Sequence, residues 1–247
     1  RESRKELVRE MRTERSRETA GSNATVTTTE VGEVDSFDKN VKFLGIASSG
    51  AIYVYFSCDP AILLADLGLV LGVDDRCLAA PDPAVTANAT FDDVARINLP
   101  AKAATNIVYM INNHSNNWQF LNSTAGNVSG LMNYSPRITI ESSALNDPAA
   151  INPETGLPMN GSYTTTGNGT KSVNQTLVGG EFGNFVDSYS RANTIGLSRA
   201  FFAALGLPNS VINEIYKRPM TIRLGARVSV RRVPFGQYFY TARFLGN

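Results

Sequence analysis

The chain has 247 residues, of which 43% are hydrophobic and 18% are charged, a composition typical of an ordered globular protein and not of a disordered one. Its formal net charge of +1 excludes a uniformly basic or uniformly acidic protein. The longest apolar stretch, residues 60–73, is too short to cross a bilayer and contains Asp66, so we expect no membrane span.

Charge is segregated along the chain, although the total is close to neutral. Residues 1–18 carry seven basic and five acidic side chains, residues 19–214 carry nine basic and seventeen acidic, and residues 215–247 carry seven basic and none acidic. An acidic body is therefore followed by a basic C-terminal end. Such complementarity favours self-association or an anionic partner over small-molecule chemistry.

The first 22 residues predict a charged N-terminal arm. Glutamates recur every four residues between Glu2 and Glu18, a spacing that allows ion pairs with intervening Lys and Arg on a helix surface. Only Leu7, Val8 and Met11 are strongly apolar, so the arm cannot form a core alone. An arm that docks on a neighbour or on nucleic acid and a solvated terminal helix both remain open.

The body begins with a region rich in strand signals. Runs of Thr, Val, Ile and aromatic residues predict strands, and one Leu-rich run favours a helix because of its length. The predicted strands are 25–34, 41–46, 51–57, 94–99 and 106–111, and the helix is 61–72.

Residues 112–176 are dominated by Asn, Ser, Thr, Gly and Pro, and 145–162 is a succession of turn signals. We predict a lobe of long surface loops here, interrupted by one short strand at 137–141. His114, the only histidine, lies in this tract. A single histidine cannot build a multi-histidine metal site, and we expect a polar loop residue.

Nine N-x-[ST] sequences are present, seven of them between residues 113 and 174. In an exported protein these would be glycosylation sites; the alternative is a local richness in Asn and Thr. Both interpretations place the segment on the surface. The nine asparagines are Asn23, Asn88, Asn113, Asn122, Asn127, Asn133, Asn160, Asn168 and Asn174.

The C-terminal region predicts two helices, at 192–205 and 210–217, with Asn209 as the N-cap of the second. A basic hairpin at 219–244 follows. Aliphatic residues alternate with polar ones from 222 to 231, a period of two that is typical of a half-buried strand. Pro234 and Gly236 predict the turn before the returning strand at 237–244.

Five arginines of this hairpin are the candidate contact residues. Arg223, Arg227 and Arg231 share one face of the first strand at intervals of about 13 Å, Arg232 lies at the turn, and Arg243 lies on the returning strand. Such a row can dock on an acidic face of another subunit, bind nucleic acid together with neighbouring aromatics, or simply be solvated. We predict a subunit or anion contact here.

Cys58 and Cys77 are the two cysteines of the chain. A bridge between them would close a loop around the apolar helix and stabilise the fold by about 3 kcal/mol in the loop-entropy model. Two cysteines are also ordinary for an intracellular protein of this length. The sequence leaves both the disulfide and the compartment open.

No group of residues matches a catalytic or metal-binding motif. The carboxylate pairs at 74–75 and 92–93 are adjacent in sequence, and adjacent side chains usually point apart, so acid–base chemistry is not indicated. We expect no enzymatic activity, no cofactor and no metal.

These elements predict a strand-rich α+β fold. We expect an antiparallel sheet or sandwich, a jelly roll being one alternative, with a few helices and an extended N-terminal arm. Residues 1–22 form the arm, and 23–247 form a single domain with the polar lobe at about 112–176 and the hairpin at 219–244. Strands and helices do not alternate regularly, which argues against a parallel βαβ sheet.

With its charged arm, strand-rich body and long polar loops, the chain resembles viral and phage shell proteins. The resemblance implies a non-enzymatic, self-assembling structural protein, a capsid, shell or tail subunit located in the virion. Its partners would be copies of itself, other virion proteins and, as a further option, nucleic acid. Two alternatives remain: an exported cell-surface glycoprotein or adhesin, and a nucleic-acid-binding module that uses the basic hairpin.

Overall fold

The computed structural model describes residues 23–25 and 41–247, with the backbone alone at 23–25 and 193–195. The arm predicted over 1–22 lies outside the described residues, as does most of the strand predicted over 25–34. The described chain forms two six-stranded sheets and three short α-helices. The predicted strand-rich α+β sandwich is therefore confirmed.

The strands of the described chain are β1 (Asn23–Thr25), β2 (Lys42–Ser48), β3 (Ile52–Tyr55), β4 (Arg76–Ala79), β5 (Ala87–Leu99), β6 (Ile107–Leu121), β7 (Val128–Glu141), β8 (Ser162–Thr166), β9 (Lys171–Leu177), β10 (Phe182–Ser198), β11 (Met220–Arg231) and β12 (Phe235–Gly246). The helices are α1 (Pro60–Leu67), α2 (Arg199–Ala204) and α3 (Asn209–Lys217), and one 3-10 turn spans Ser143–Asn146.

Sheet 1 has the strand order β1-β5-β11-β7, and β8 and β9 pair with opposite ends of β7. Sheet 2 has the order β10-β6-β12-β3-β4, and β2 pairs with the other end of β12. The pairs β1–β5 and β3–β4 are parallel, and all other pairs are antiparallel. This order places β11 in the middle of sheet 1 and β10 at an edge of sheet 2.

The main core lies between the two sheets and follows the predicted alternation of β11. Ile222, Leu224, Val228 and Val230 are buried, whereas Arg227 is exposed on the opposite face. Each such aliphatic side chain stabilises the fold by about 1.5–3 kcal/mol relative to an exposed one. The prediction of a half-buried strand over this segment is confirmed.

A second, smaller core lies between α1 and the outer face of sheet 2, where Leu63 and Leu67 pack with Phe235. The side chain of Asp59 accepts hydrogen bonds from the first turn of α1, and Gly68 ends the helix in a left-handed conformation at φ 62°. The predicted helix is therefore present, but it is shorter than 61–72.

Cys58 and Cys77 form a disulfide with a Cα–Cα distance of 5.8 Å. The bridge joins the segment before α1 to β4. It therefore ties the second core to the edge of sheet 2.

The prediction of a loop lobe over residues 112–176 is wrong. Most of β6, all of β7 and β8 and nearly all of β9 lie in this range, and the main irregular connection is between β7 and β8. The polar composition led to a prediction of loops because the outer faces of these strands are solvated and therefore polar. Several polar side chains also lie on the inner face of β6. Polar residues at a period of two form strands as readily as loops when one face meets water.

The first predicted C-terminal helix is also shorter than expected. Residues up to Ser198 continue β10, and α2 begins where the Ser198 hydroxyl accepts a hydrogen bond from the Phe201 amide at 3.0 Å. The second helix is confirmed as α3. Pro208 occupies its N-cap position without a side-chain hydrogen bond, so the prediction of Asn209 as N-cap is wrong.

The two strands of the predicted hairpin at 219–244 exist, but they do not pair with each other. β11 lies between β5 and β7 in sheet 1, whereas β12 lies beside β6 in sheet 2. The chain crosses between sheets near Arg232, which has φ 61°. Both strands carry an apolar face, and these faces meet across the core instead of lying in one sheet.

Candidate functional site

The arginine row of β11 lies on the outer face of sheet 1. Arg223, Arg227 and Arg231 alternate with buried aliphatic residues and therefore point away from the core. The structure thus places three of the five predicted contact arginines on one solvent-facing surface. β11 is central in its sheet, so this surface extends over the neighbouring strands.

Two further arginines join the row from those neighbours. Arg96 on β5 is the register partner of Arg223, and Arg137 on β7 is the register partner of Gly225. Directly opposed residues of antiparallel strands point to the same side. We call the five residues the arginine face: Arg96, Arg137, Arg223, Arg227 and Arg231.

Sequence reasoning missed Arg96 and Arg137, although both carry a readable signal. Arg96 is followed by Ile97 and Leu99 at alternate positions, and Arg137 precedes Ile138 and Ile140. Each arginine therefore occupies the polar phase of a period-two pattern. The sequence could place each one on a solvated strand face, but it could not show that the strands are adjacent.

Three carboxylates neutralise part of the arginine face. Arg223 pairs with Glu141 at 2.7 Å and Arg137 with Asp92 at 3.7 Å. Arg96 pairs with Asp93 three residues earlier in the chain. Exposed pairs of this kind contribute about 0–1 kcal/mol each, so they orient the side chains more than they stabilise the fold.

Positive charge remains at the other end of the row. Arg231 donates from Nε to the carbonyl of Ser129 at 3.2 Å, and neither Arg231 nor Arg227 has an acidic partner among the described residues. Arg227 is also exposed. Within the described part of the chain, the arginine face therefore presents guanidinium groups without acidic partners at this end.

Short hydroxyl and amide side chains occupy the positions between the arginines. They share the outward phase of their strands, and one pair, Thr139 and Thr164, is hydrogen-bonded at 2.8 Å. The surface between the arginines is therefore polar and built of short side chains. The outward residues beside the row are Asn88, Thr90, Asn133, Ser135, Ser172 and Ser229.

The remaining two predicted contact arginines lie elsewhere. Arg232 is at the crossing between the sheets, and Arg243 is exposed on the outer face of sheet 2. The aromatics that the sequence places near the row are buried and do not share its surface: Phe235, Tyr238, Phe239, Tyr240 and Phe244. The described arginine face therefore lacks the stacking platform typical of single-strand nucleic-acid binding.

A cluster of polar and aromatic side chains lies inside the sandwich. It differs from the inner face of β11, which is aliphatic. His114 of β6 shares a hydrogen bond through Nδ1 with the Tyr238 hydroxyl and stacks on Tyr189 and Tyr240 at centroid distances of 4.8 and 5.4 Å. The Tyr240 hydroxyl reaches sheet 1, where it donates to the carbonyl of Gly225 at 3.0 Å. We call His114, Tyr134, Tyr189, Tyr238 and Tyr240 the polar centre.

His114 is a buried strand residue with 1% of its surface exposed, so the prediction of a polar loop residue is wrong. Burial lowers its pKa to about 4; the carbonyl of Asn168 opposes this shift, and the charge of Arg191 adds to it. Burial likewise raises the pKa of Tyr238. The polar centre is therefore uncharged at neutral pH and serves packing and hydrogen bonding.

The β8–β9 turn covers the polar centre. Gly169, at φ 106°, lies against the His114 ring so closely that a Cβ would collide with it. The Gly169 carbonyl accepts a hydrogen bond from the Tyr189 hydroxyl at 2.6 Å. A glycine at this position is required both by its backbone conformation and by the approach of the ring.

The N-x-[ST] asparagines differ widely in accessibility. Asn122 is buried, and its amide donates to the carbonyls of Gly126, Leu177 and Val178. It is therefore a structural residue that closes the β6–β7 loop. The exposed acceptor asparagines are Asn88, Asn127, Asn160, Asn168 and Asn174.

The described residues contain no cluster of three or more His, Cys, Asp or Glu side chains that could hold a metal ion. None of the helices in the described part of the chain is both long and apolar enough to cross a membrane.

Comparison with known proteins gives weak likenesses only. No family model matches the chain, and no curated protein sequence matches it. A solved lectin, UEA-II complexed with galactose, aligns with a TM-score of 0.28 and 12% identity over 85% of this chain and 94% of its own.

Two structures of infectious bursal disease virus align more weakly. The Gx strain has a TM-score of 0.15 and 9% identity over 66% of this chain and 38% of its own. The T=1 particles derived from that virus have a TM-score of 0.13 and 8% identity over 89% of this chain and 45% of its own. Likenesses at this level carry no argument about function.

Proposed function

We propose that this chain is a non-enzymatic structural protein that self-assembles, a shell or tail subunit of a virion. The observation that carries the proposal is the arginine face: a solvent-facing sheet surface on which Arg227 has no acidic partner among the described residues. The body of the same chain, residues 19–214, has eight more acidic than basic side chains. One copy therefore carries both halves of a complementary contact.

The size of the surface is compatible with part of a subunit contact. The arginines lie on β5, β11 and β7, and β8 and β9 continue the surface beyond β7. Four strand positions at a spacing of about 4.8 Å give a width of about 14 Å, the twelve residues of β11 give a length of about 40 Å, and the product is roughly 580 Å². A standard protein interface buries about 800 Å² on each partner, so this face would supply most of one side of one specific contact.

The charge pattern sets the expected behaviour of the assembly. Contacts between exposed charges weaken at high salt because the Debye length falls to about 3 Å at 1 M. Repetition of one complementary contact between identical subunits builds closed or extended assemblies. Large, defined and salt-sensitive particles are therefore the expected solution state.

The test replaces Arg227 by Ser, with Arg243→Ser as the matched control. Both changes remove one exposed guanidinium, but Arg243 lies on the other sheet. Sedimentation velocity at low salt should show fewer large particles for Arg227→Ser and a wild-type distribution for Arg243→Ser. The triple variant Arg223→Ser, Arg227→Ser, Arg231→Ser should show the larger loss, while circular dichroism remains that of the folded chain. Unaltered assembly in the triple variant would contradict the electrostatic contact.

A second candidate function, an exported cell-surface glycoprotein or adhesin, is favoured by the disulfide between Cys58 and Cys77. Disulfides of this kind are typical of oxidising compartments, and exposed acceptors such as Asn127 and Asn174 are available. Intact mass before and after glycosidase treatment tests it. A mass loss, with no modification at the buried Asn122, would favour this candidate over the first, and an unmodified mass from a glycosylating host would exclude it.

A further inference from the structure

β10 is a long strand whose far edge pairs with no other strand of the described chain. It spans Phe182–Ser198 and pairs with β6 on one side. Between residues 182 and 192 the pairing is regular, a length of about 36 Å. The backbone N–H and C=O groups of such an edge can pair with an added strand. In β10 the carbonyls of Ser190 and Ala192 already accept hydrogen bonds from the Arg191 and Asn168 side chains, which an added strand would displace.

Residues 182–192 carry only part of the usual protection of an edge strand. They contain two charged residues, Asp187 and Arg191, but neither Lys nor Pro, and the irregularity in pairing falls only between Asn193 and Leu197. Phe182 and Val186 point outward with 55% and 66% of their surfaces exposed. An edge with exposed apolar side chains gains free energy when a second strand covers it.

We propose that β10 of one copy pairs antiparallel with β10 of a second copy about a two-fold axis at Tyr189, so that residues 186–192 of the two copies oppose one another within the regular part of the strand. The pairing joins two copies of sheet 2 into one continuous sheet, an isologous contact in which each copy uses the same surface. The inference rests on the proposed function, because it names the edge through which identical subunits first associate.

Charge complementarity fixes the partner and the register. Asp187 and Arg191 are the only charged residues between 182 and 192. With the axis at Tyr189, Asp187 of each copy lies directly opposite Arg191 of the other, and two ion pairs form in each dimer. An axis at Asp187 or at Arg191 would instead oppose like charges. The strand is therefore complementary to itself in one register and not in these neighbouring ones.

Both charged side chains lie on the inner face of β10 and already make contacts within one copy. Asp187 accepts from Lys171 of β9 at 2.7 Å, and the Arg191 guanidinium lies 5.1 Å from the centre of the Tyr189 ring while the residue remains exposed. On the outer side of the pair, Ser188 lies opposite Ser190. These small side chains allow two strands to approach to the usual spacing of about 4.8 Å.

The first test places a lysine on the edge. Val186→Lys should raise the dissociation constant of the dimer about tenfold or more, because a lysine on an edge strand opposes strand addition. Val85→Lys is the matched control, since Val85 is 60% exposed in the connection between β4 and β5. Light scattering on the full-length chain at several concentrations, with circular dichroism as a folding check, gives the comparison. Equal dimerisation of both variants would overturn the proposal.

The second test reads the register directly. The double variant Ser188→Cys, Ser190→Cys should form a covalent dimer on mild oxidation, with peptide mapping that links position 188 of one copy to position 190 of the other. In the control pair Asn184→Cys, Ser188→Cys, the two thiols do not face each other across the axis. Equal cross-linking of both pairs, or of neither, would contradict a two-fold axis at Tyr189.

The outcomes separate this inference from the proposed function. Large salt-sensitive particles that persist in Val186→Lys would overturn the β10 contact and leave self-assembly standing. A stable dimer through β10 that never grows into larger particles would support the contact and contradict the virion assembly. A wild-type chain that is monomeric at every concentration and salt would contradict both.

Discussion

β6 and β11 both alternate inward and outward side chains, but their inner faces differ. The inner face of β11 is aliphatic throughout, from Ile222 to Val230. The inner face of β6 changes from Met110 through Asn112, His114 and Asn116 to Trp118 and Phe120. The two strands therefore reach similar burial by different chemistry.

The difference shows which polar side chains are enclosed in the fold and which are open to a binding partner. Inside the sandwich, His114 is uncharged and its polar group is hydrogen-bonded to Tyr238. On the outer face of sheet 1, Arg227 stays charged and solvated. The polar centre is buried and closed to a partner, although His114 Nε2 and the Tyr134 hydroxyl find no hydrogen-bond partner among the described residues. The arginine face is open to solvent and therefore available to a partner.

The largest expected effect is on the aliphatic face of β11. Ile222→Ala removes a fully buried side chain and should lower the free energy of unfolding by about 3 kcal/mol, within the usual range for such cavities. Thr221→Ala, the next residue on the outward phase, should cost less than about 1 kcal/mol. Urea titration of both variants measures the contrast, and equal losses would contradict the inward and outward assignment.

Lowering the pH should destabilise the fold through the polar centre, where His114 of β6 is buried in its neutral form. The folded-state pKa of His114 is about 4 and the ordinary value is 6.5, so the unfolded chain binds more protons between these pH values. The stability that neutral His114 contributes is fully present above pH 6.5 and is lost as pH falls toward the folded pKa, on the order of 3 kcal/mol in all.

His114 is the only histidine, so the effect is measurable above the range in which carboxylates titrate. Near pH 5.5 the free energy of unfolding should fall by about 1 kcal/mol per pH unit. Urea titrations across this range give the slope, and His114→Gln should flatten it. A wild-type slope equal to that of His114→Gln would show that His114 is not buried in its neutral form.

A smaller loss is expected at the turn that covers the polar centre. Gly169→Ala forces a side chain into a left-handed conformation and against His114, and should cost about 2 kcal/mol. Gly126→Ala, where a Cβ meets nothing within 4 Å, should change stability by less than about 0.5 kcal/mol. Thermal unfolding of the two variants tests the closeness of the β8–β9 turn.

The smallest effect on stability is expected at the arginine face. Arg227→Ser should change the free energy of unfolding by less than about 0.5 kcal/mol, because the side chain is exposed and has no acidic partner among the described residues. Its effect on particle formation should be large by comparison. A destabilisation comparable to that of Ile222→Ala would show that Arg227 supports the fold and not a contact.

The sequence predicted β11 because its period of two combines aliphatic residues with arginines, and it also predicted the helix α3. It did not predict β6 beyond residue 111, because Asn112, His114 and Asn116 face inward and gave no hydrophobic periodicity. Their partners come from β7, β10 and β12. Asn112 donates to the carbonyl of Asn168 and His114 shares a hydrogen bond with Tyr238, and no local pattern reveals these contacts.

The sequence predicted only part of the candidate site, because contacts between distant strands cannot be read from local patterns. Arg223, Arg227 and Arg231 share a face because one strand carries them all, which spacing alone determines. Arg96 and Arg137 join them only through the order β5-β11-β7. Arg243 does not belong to the arginine face because β12 lies in the other sheet. Pairing between strands that are far apart in the chain cannot be read from neighbouring residues.

The most direct measurement is the molar mass of the wild-type chain by size-exclusion chromatography with light scattering, at low and at high salt, with the ratio of absorbance at 260 and 280 nm. Self-assembly through complementary charge predicts large, defined particles at low salt that dissociate at high salt, and a raised ratio would add nucleic acid as a partner. A clean monomer under every condition would contradict the account.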